Sequence, residues 1–71
     1  MINKAKLIYY CSIKQKSIRE LSTDLGINEA TFYRKIRGDS DFYRHEIIKI
    51  KELLGLSIDE TNEIFFDSKL A

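Results

Sequence analysis

An all-α chain of five short helices is predicted by three observations. Apolar residues recur at intervals of three and four, no alternating run is flanked by Asn-Gly or Asp-Gly hairpin signals, and each of the three glycines follows an apolar helical pattern. Proline is absent, so Gly26, Gly38 and Gly55 are the main punctuation. At 71 residues the expectation is one domain spanning 1–71. A domain this small buries only about 60% of the surface its unfolded chain exposes, which commits most of its apolar side chains to folding.

The first helix is expected over about Asn3 to Gln15, with Leu7, Ile8 and Cys11 inward, Lys4, Lys6 and Lys14 in water, and Tyr9, Tyr10 and Ile13 partly left over. Ser17-Ile18-Arg19-Glu20 has the form of a capping box and opens the second helix. Ile18, Leu21, Ser22 and Leu25 then fall on one face, and Gly26 ends it. Asn28 caps a third helix running to about Arg37, with Glu29 at its dipole-positive start. Phe32, Ile36 and the aliphatic stem of Lys35 point inward, which leaves Glu29, Ala30, Tyr33, Arg34 and Arg37 on the opposite side. Asp39-Ser40-Asp41 is a loop, and a fourth helix from about Tyr43 to Leu54 carries Ile47, Ile50 and Leu54 as its core stripe. Gly55-Leu56 reads as a Schellman-type end. Ser57-Ile58-Asp59-Glu60, a second capping box, opens a fifth helix through about Phe66, anchored by Ile64 and Phe65.

Composition narrows the function classes. Apolar residues make up 44% of the chain and charged residues 32%, as in an ordinary globular protein. No apolar run approaches the ~18 residues of a membrane helix, and the start shows no signal-peptide pattern, so a cytoplasmic protein with no membrane partner is expected. Cys11 stands alone and is read as a small core residue. With His45 as the one histidine, no metal set, and no other cofactor, is expected. Nor do the residues assemble paired carboxylates, a Ser-His-Asp set or a phosphate-cradling loop, so neither an enzyme nor a small-molecule substrate is expected. The net charge is only +1, but residues 1–51 hold 11 Lys/Arg against 6 Asp/Glu, whereas residues 52–71 hold 1 against 5. A basic body with an acidic tail suits a protein that turns one side to phosphates.

Two short helices joined by a tight glycine turn, the second with an inward aromatic and an outward polar and basic row, form a helix-turn-helix pattern over Ser17 to Gly38. The stretch Leu21-Ser22-Thr23-Asp24-Leu25-Gly26-Ile27-Asn28-Glu29-Ala30-Thr31-Phe32-Tyr33-Arg34-Lys35-Ile36-Arg37-Gly38 resembles the phage Cro/repressor type, or XRE-like family, of transcriptional regulators. In particular it resembles small phage-like members whose third helix reads TFYRKI before a glycine. The likeness continues through Asp41-Phe42, Glu46-Ile47 and Ile64-Phe65-Phe66. It implies a five-helix lambda-repressor-like DNA-binding domain with the helix-turn-helix as helices two and three, reading a palindromic operator in double-stranded DNA as a symmetric homodimer. The sequence departs from the pattern at Ser22, where alanine is usual, at Ile18, where many relatives carry a polar phosphate contact, and at Tyr43, where a serine or threonine cap is usual.

The outward row suits base reading in the major groove. Arg34 and Arg37 can fork onto guanine O6 and N7, Glu29 can accept from a cytosine amino group, and Ala30 can touch a thymine methyl. Tyr33 is either a base or sugar-phosphate contact or a plain surface aromatic, and Glu29 and Arg37 equally suit the dipole at their ends of the helix. Ser17, Arg19, Asn28, Thr31, Lys35 and Arg44 are the candidate backbone contacts. Because the chain ends soon after its fifth helix, a Cro-like single-domain regulator is expected rather than a self-cleaving repressor. The competing expectation is a protein-interaction module, of antirepressor or antitoxin-adaptor type, that uses the acidic fifth helix and Phe65-Phe66.

Overall fold

The computed structural model describes residues 2–66, and the part of the acidic stretch at 67–71 lies outside the described residues. Five helices follow one another: α1 (Lys4–Ile13), α2 (Ile18–Leu25), α3 (Glu29–Arg37), α4 (Arg44–Leu54) and α5 (Ile58–Phe65), with no strand among the described residues. The all-α, five-helix expectation holds. No helix among these residues is long and apolar enough to cross a membrane.

Side-chain caps at the helix starts explain most boundaries. Asn3 Oδ1 accepts the Lys6 N–H at 3.1 Å and Asn28 Oδ1 accepts the Thr31 N–H at 2.7 Å. Ser17 and Ser57 each close a full capping box: the serine Oγ accepts the N–H of Glu20 or Glu60 at 3.0 Å, and that glutamate accepts the serine N–H at 2.8 Å. The α4 start is different. Tyr43 offers no side-chain acceptor, and neither Asp41 nor Ser40 supplies a cap; half a box remains, in which Glu46 Oε1 accepts the Tyr43 N–H at 2.8 Å.

The first helix departs most from expectation. It stops at Ile13 because Gln15 turns left-handed (φ 59°), which lets the Lys16 N–H reach the Cys11 carbonyl at 2.9 Å. Its inward stripe is Leu7, Tyr10 and Cys11, while Ile8 faces out. Tyr10 takes the inner position, its ring buried and Glu60 of α5 near it. Burial pushes the Cys11 thiol up, in keeping with a packed core side chain.

The core joins Leu7 and Cys11 of α1, Leu21 of α2, Phe32 and Ile36 of α3, Ile50 and Leu54 of α4, Leu56, and Ile64 and Phe65 of α5. A ladder of edge-to-face rings crosses it: Phe32 to Phe42 at 5.6 Å and Phe42 to Phe65 at 5.3 Å between centroids. The Asn3 N–H donates to the Ile64 carbonyl at 2.7 Å and ties the start of the described chain to α5.

A buried ion pair holds α3 to α4. Lys35 and Glu46 side chains are both 5% exposed, with Nζ 3.1 Å from Glu46 Oε1 and donating to the Asp41 carbonyl at 2.8 Å. The ammonium also lies 4.2 Å from the Tyr43 ring centroid. Breaking such a pair from one side strands the other charge. Lys35→Met is therefore expected to lose about 3–5 kcal/mol in urea unfolding. The Lys35→Met/Glu46→Gln double variant, in which the amide oxygen still accepts from Tyr43, should recover a large part. Equal losses in the single and double variants would show that the pair is not the source.

The capping glutamates make stability depend on acid. Hydrogen bonds from the Ser17 backbone and hydroxyl lower the Glu20 carboxyl below the usual glutamate range, and the Ser57 backbone N–H is the main cause of the same shift at Glu60. A depressed folded-state pKa contributes stability above the unfolded value of ~4.3, and that contribution fades as pH falls through the lower folded values. Between about pH 5 and pH 3, a Glu20→Gln/Glu60→Gln variant should lose less stability than the parent chain. Parallel losses would remove these two carboxyls from the acid response.

Candidate nucleic-acid interface

The outward row of α3 is built by what lies behind it. Phe32 and Ile36 are buried against the core, so residues on the far side of a nine-residue helix of about 14 Å must face solvent. Ala30, Tyr33, Arg34 and Arg37 are exposed there and Glu29 is partly so, all five on one continuous surface. The helix is held against α2 by a short turn, Gly26-Ile27-Asn28. Gly26 takes φ 75°, and the Ile27 N–H donates to the Ser22 carbonyl at 3.0 Å, so α2 ends there and α3 begins within three residues.

Ser22, on the inner side of α2, is almost fully buried. Its hydroxyl stays within its own helix, donating to the Ile18 carbonyl at 2.8 Å, so toward the core serine serves as a small residue. Ser22→Ala should change stability by no more than about 0.5 kcal/mol, whereas Ser22→Leu should cost about 1–3 kcal/mol in thermal or urea unfolding, because a buried site this small has no space for the added methylenes. A leucine variant as stable as the parent would mean that the packing around Ser22 is loose.

Charges on this face are paired locally. Arg19 of α2, 82% exposed along its side chain, donates from Nε to Glu29 Oε1 at 3.1 Å. Arg37 donates from Nε and Nη2 to Asp39 Oδ2 at 3.2 and 3.0 Å. Arg34 donates from Nη2 to Thr31 Oγ1 at 3.2 Å, and among the described residues it makes no ion pair. Exposed pairs like these are worth ~0–1 kcal/mol and exchange readily for other partners.

Of the backbone candidates, Ser17, Arg19 and Asn28 are exposed and Thr31 partly so, and all lie on α2, α3 or their caps. Arg44 is exposed at the first position of α4. Lys35 leaves the set. Only its stem was expected inside, but its ammonium is buried too, and both Glu46 and the Asp41 carbonyl claim it, so it has no reach to a phosphate. The signal that could have located this partner was Glu46 at the third position of a helix whose cap residue lacks a side-chain acceptor.

A second feature lies elsewhere on the surface. Phe42, Arg44, Ile47, Ile48, Lys51, Ile58, Thr61, Asn62 and Phe66 line a groove of about 660 Å³ between α4 and α5. Ile58 is 70% exposed and Phe66 60%, high values for large apolar side chains. No family model, curated protein sequence or solved structure matches this chain.

Proposed function

We propose that the protein is a sequence-specific transcriptional regulator of the phage repressor or Cro type, a helix-turn-helix protein that reads the major groove of double-stranded DNA with α3. The observation that carries this reading is the exposed row Glu29, Ala30, Tyr33, Arg34 and Arg37 on a short helix braced from behind by α2 and by the Lys35–Glu46 pair. A helix of this length fits the major groove, where every base pair shows its own donor and acceptor pattern. Glu29, Ala30, Tyr33, Arg34 and Arg37 are the proposed base contacts, and Ser17, Arg19, Asn28, Thr31 and Arg44 the proposed backbone contacts. Arg19 exchanges its carboxylate partner on binding, which is cheap for an exposed pair, and Arg37 has donors left over for a base beside those that Asp39 takes.

The protein works as a symmetric dimer on two half-sites about one helical turn (~34 Å) apart. The apolar groove between α4 and α5, with Ile58 and Phe66 standing free, is the seam this calls for. The same groove is the observation that favours the alternative, a module that grips another protein there and has no business with DNA.

Selection from a randomised duplex library, followed by affinity titration at several salt concentrations, tests the reading. The expected result is an enriched palindrome with guanine in each half-site and an affinity that falls steeply with salt. Arg34→Ala and Arg37→Ala should each relax preference at one position by ~1–3 kcal/mol. Retention of the same operator at the same affinity by the double variant would rule out α3 as the reading helix. Weak or absent DNA binding at every salt concentration would favour the protein-gripping module.

A further inference from the structure

We infer that Asp39 is a specificity-determining positioning residue, holding the Arg37 guanidinium in the orientation that reads a guanine; the inference rests on α3 being the reading helix. The first support is the geometry of the pair. Asp39 Oδ2 accepts from both Nε and Nη2 of Arg37, which occupies one edge of the guanidinium. A guanidinium has five N–H donors in a fixed plane. With that edge occupied, Nη1 and the second hydrogen of Nη2 remain as a parallel pair on the end of the side chain, the pattern that matches guanine O6 and N7.

The second support is that Asp39 is itself fixed. Gly38 adopts φ 91°, and the Asp39 N–H then donates to the Arg34 carbonyl at 2.9 Å, so the helix end locks the backbone that carries the carboxylate. Asp39 is therefore anchored to the same helix as the arginine it holds. Both side chains are 57% exposed, where an ion pair adds little to stability. The pair's effect falls on which way Arg37 points. A carboxylate beside a DNA-reading arginine weakens attraction to phosphate in general, so its presence favours discrimination over bulk affinity.

The two effects have opposite signs, and this makes the inference testable. The parent chain, Arg37→Ala, Asp39→Ala and Asp39→Asn are each taken through the duplex-library selection and then titrated on the selected operator, on its single-base variants and on unrelated duplex. Asp39→Ala is expected to bind unrelated duplex more tightly than the parent does, yet to lose about fivefold of the preference for the base that Arg37→Ala identifies. Asp39→Asn, which removes the charge but keeps an oxygen acceptor, should restore part of that preference. If Asp39→Ala tightens operator and unrelated duplex alike and leaves the base preference intact, Asp39 is only a repelling charge and the inference falls, while the DNA-reading proposal stands. If the parent selects no sequence, both fall together.

Discussion

The Lys35–Glu46 ion pair is the constraint on which the arrangement of α3 depends. One carboxylate oxygen of Glu46 serves two masters, the ammonium of Lys35 from α3 and the backbone N–H of Tyr43 at the start of α4. The ammonium in turn takes the carbonyl of Asp41, in the connection between the two helices, and the face of the Tyr43 ring. Two helices and the connecting loop thus meet at a single point. Buried charges are tolerated when each donor and acceptor is engaged, and no fully buried side-chain polar atom among the described residues lacks a partner. Such a pair adds little net stability compared with an apolar replacement, but it permits very few geometries.

That restriction matters because α3 has to do two things at once. Its inner side contributes Phe32 and Ile36 to a small core, and its outer side has to stay free of that core. The aromatic ladder through Phe42 to Phe65 links α3 to α5, and the short Gly26-Ile27-Asn28 turn keeps α2 beside it. With the back of the helix held at three places, rotation about its axis is opposed, and the outward row keeps one orientation. The proposed base-reading role would need such definition, since base contacts depend on side chains arriving at fixed positions.

Local chemistry along the chain was a good guide wherever a boundary depended on a few adjacent residues. Ser17 with Glu20, Ser57 with Glu60, and Asn28 were all legible as caps, because a side chain that satisfies a backbone N–H three residues ahead needs nothing from the rest of the fold. Gly26 and Gly38 marked helix ends for the same reason. The first helix was less legible. It is apolar nearly all round, so periodicity alone did not separate Ile8 from Tyr10. The choice fell to packing against α5, some fifty positions away, where Tyr10 is buried with Glu60 near it.

What the sequence by itself determined, then, was the helical class, the caps of α2, α3 and α5, and the split of α3 into an apolar and a polar face, since each follows from contacts within about four residues. Tertiary structure alone decided that Lys35 is a buried structural cation and is withheld from the outer surface, that Tyr10 displaces Ile8 from the core, and that Ile48, Ile58 and Phe66 line one groove. The reason is common to all three. The side chains of Lys, Tyr and Ile carry long apolar stretches that suit either burial or the surface, and only the neighbours brought in from distant parts of the chain settle which it is.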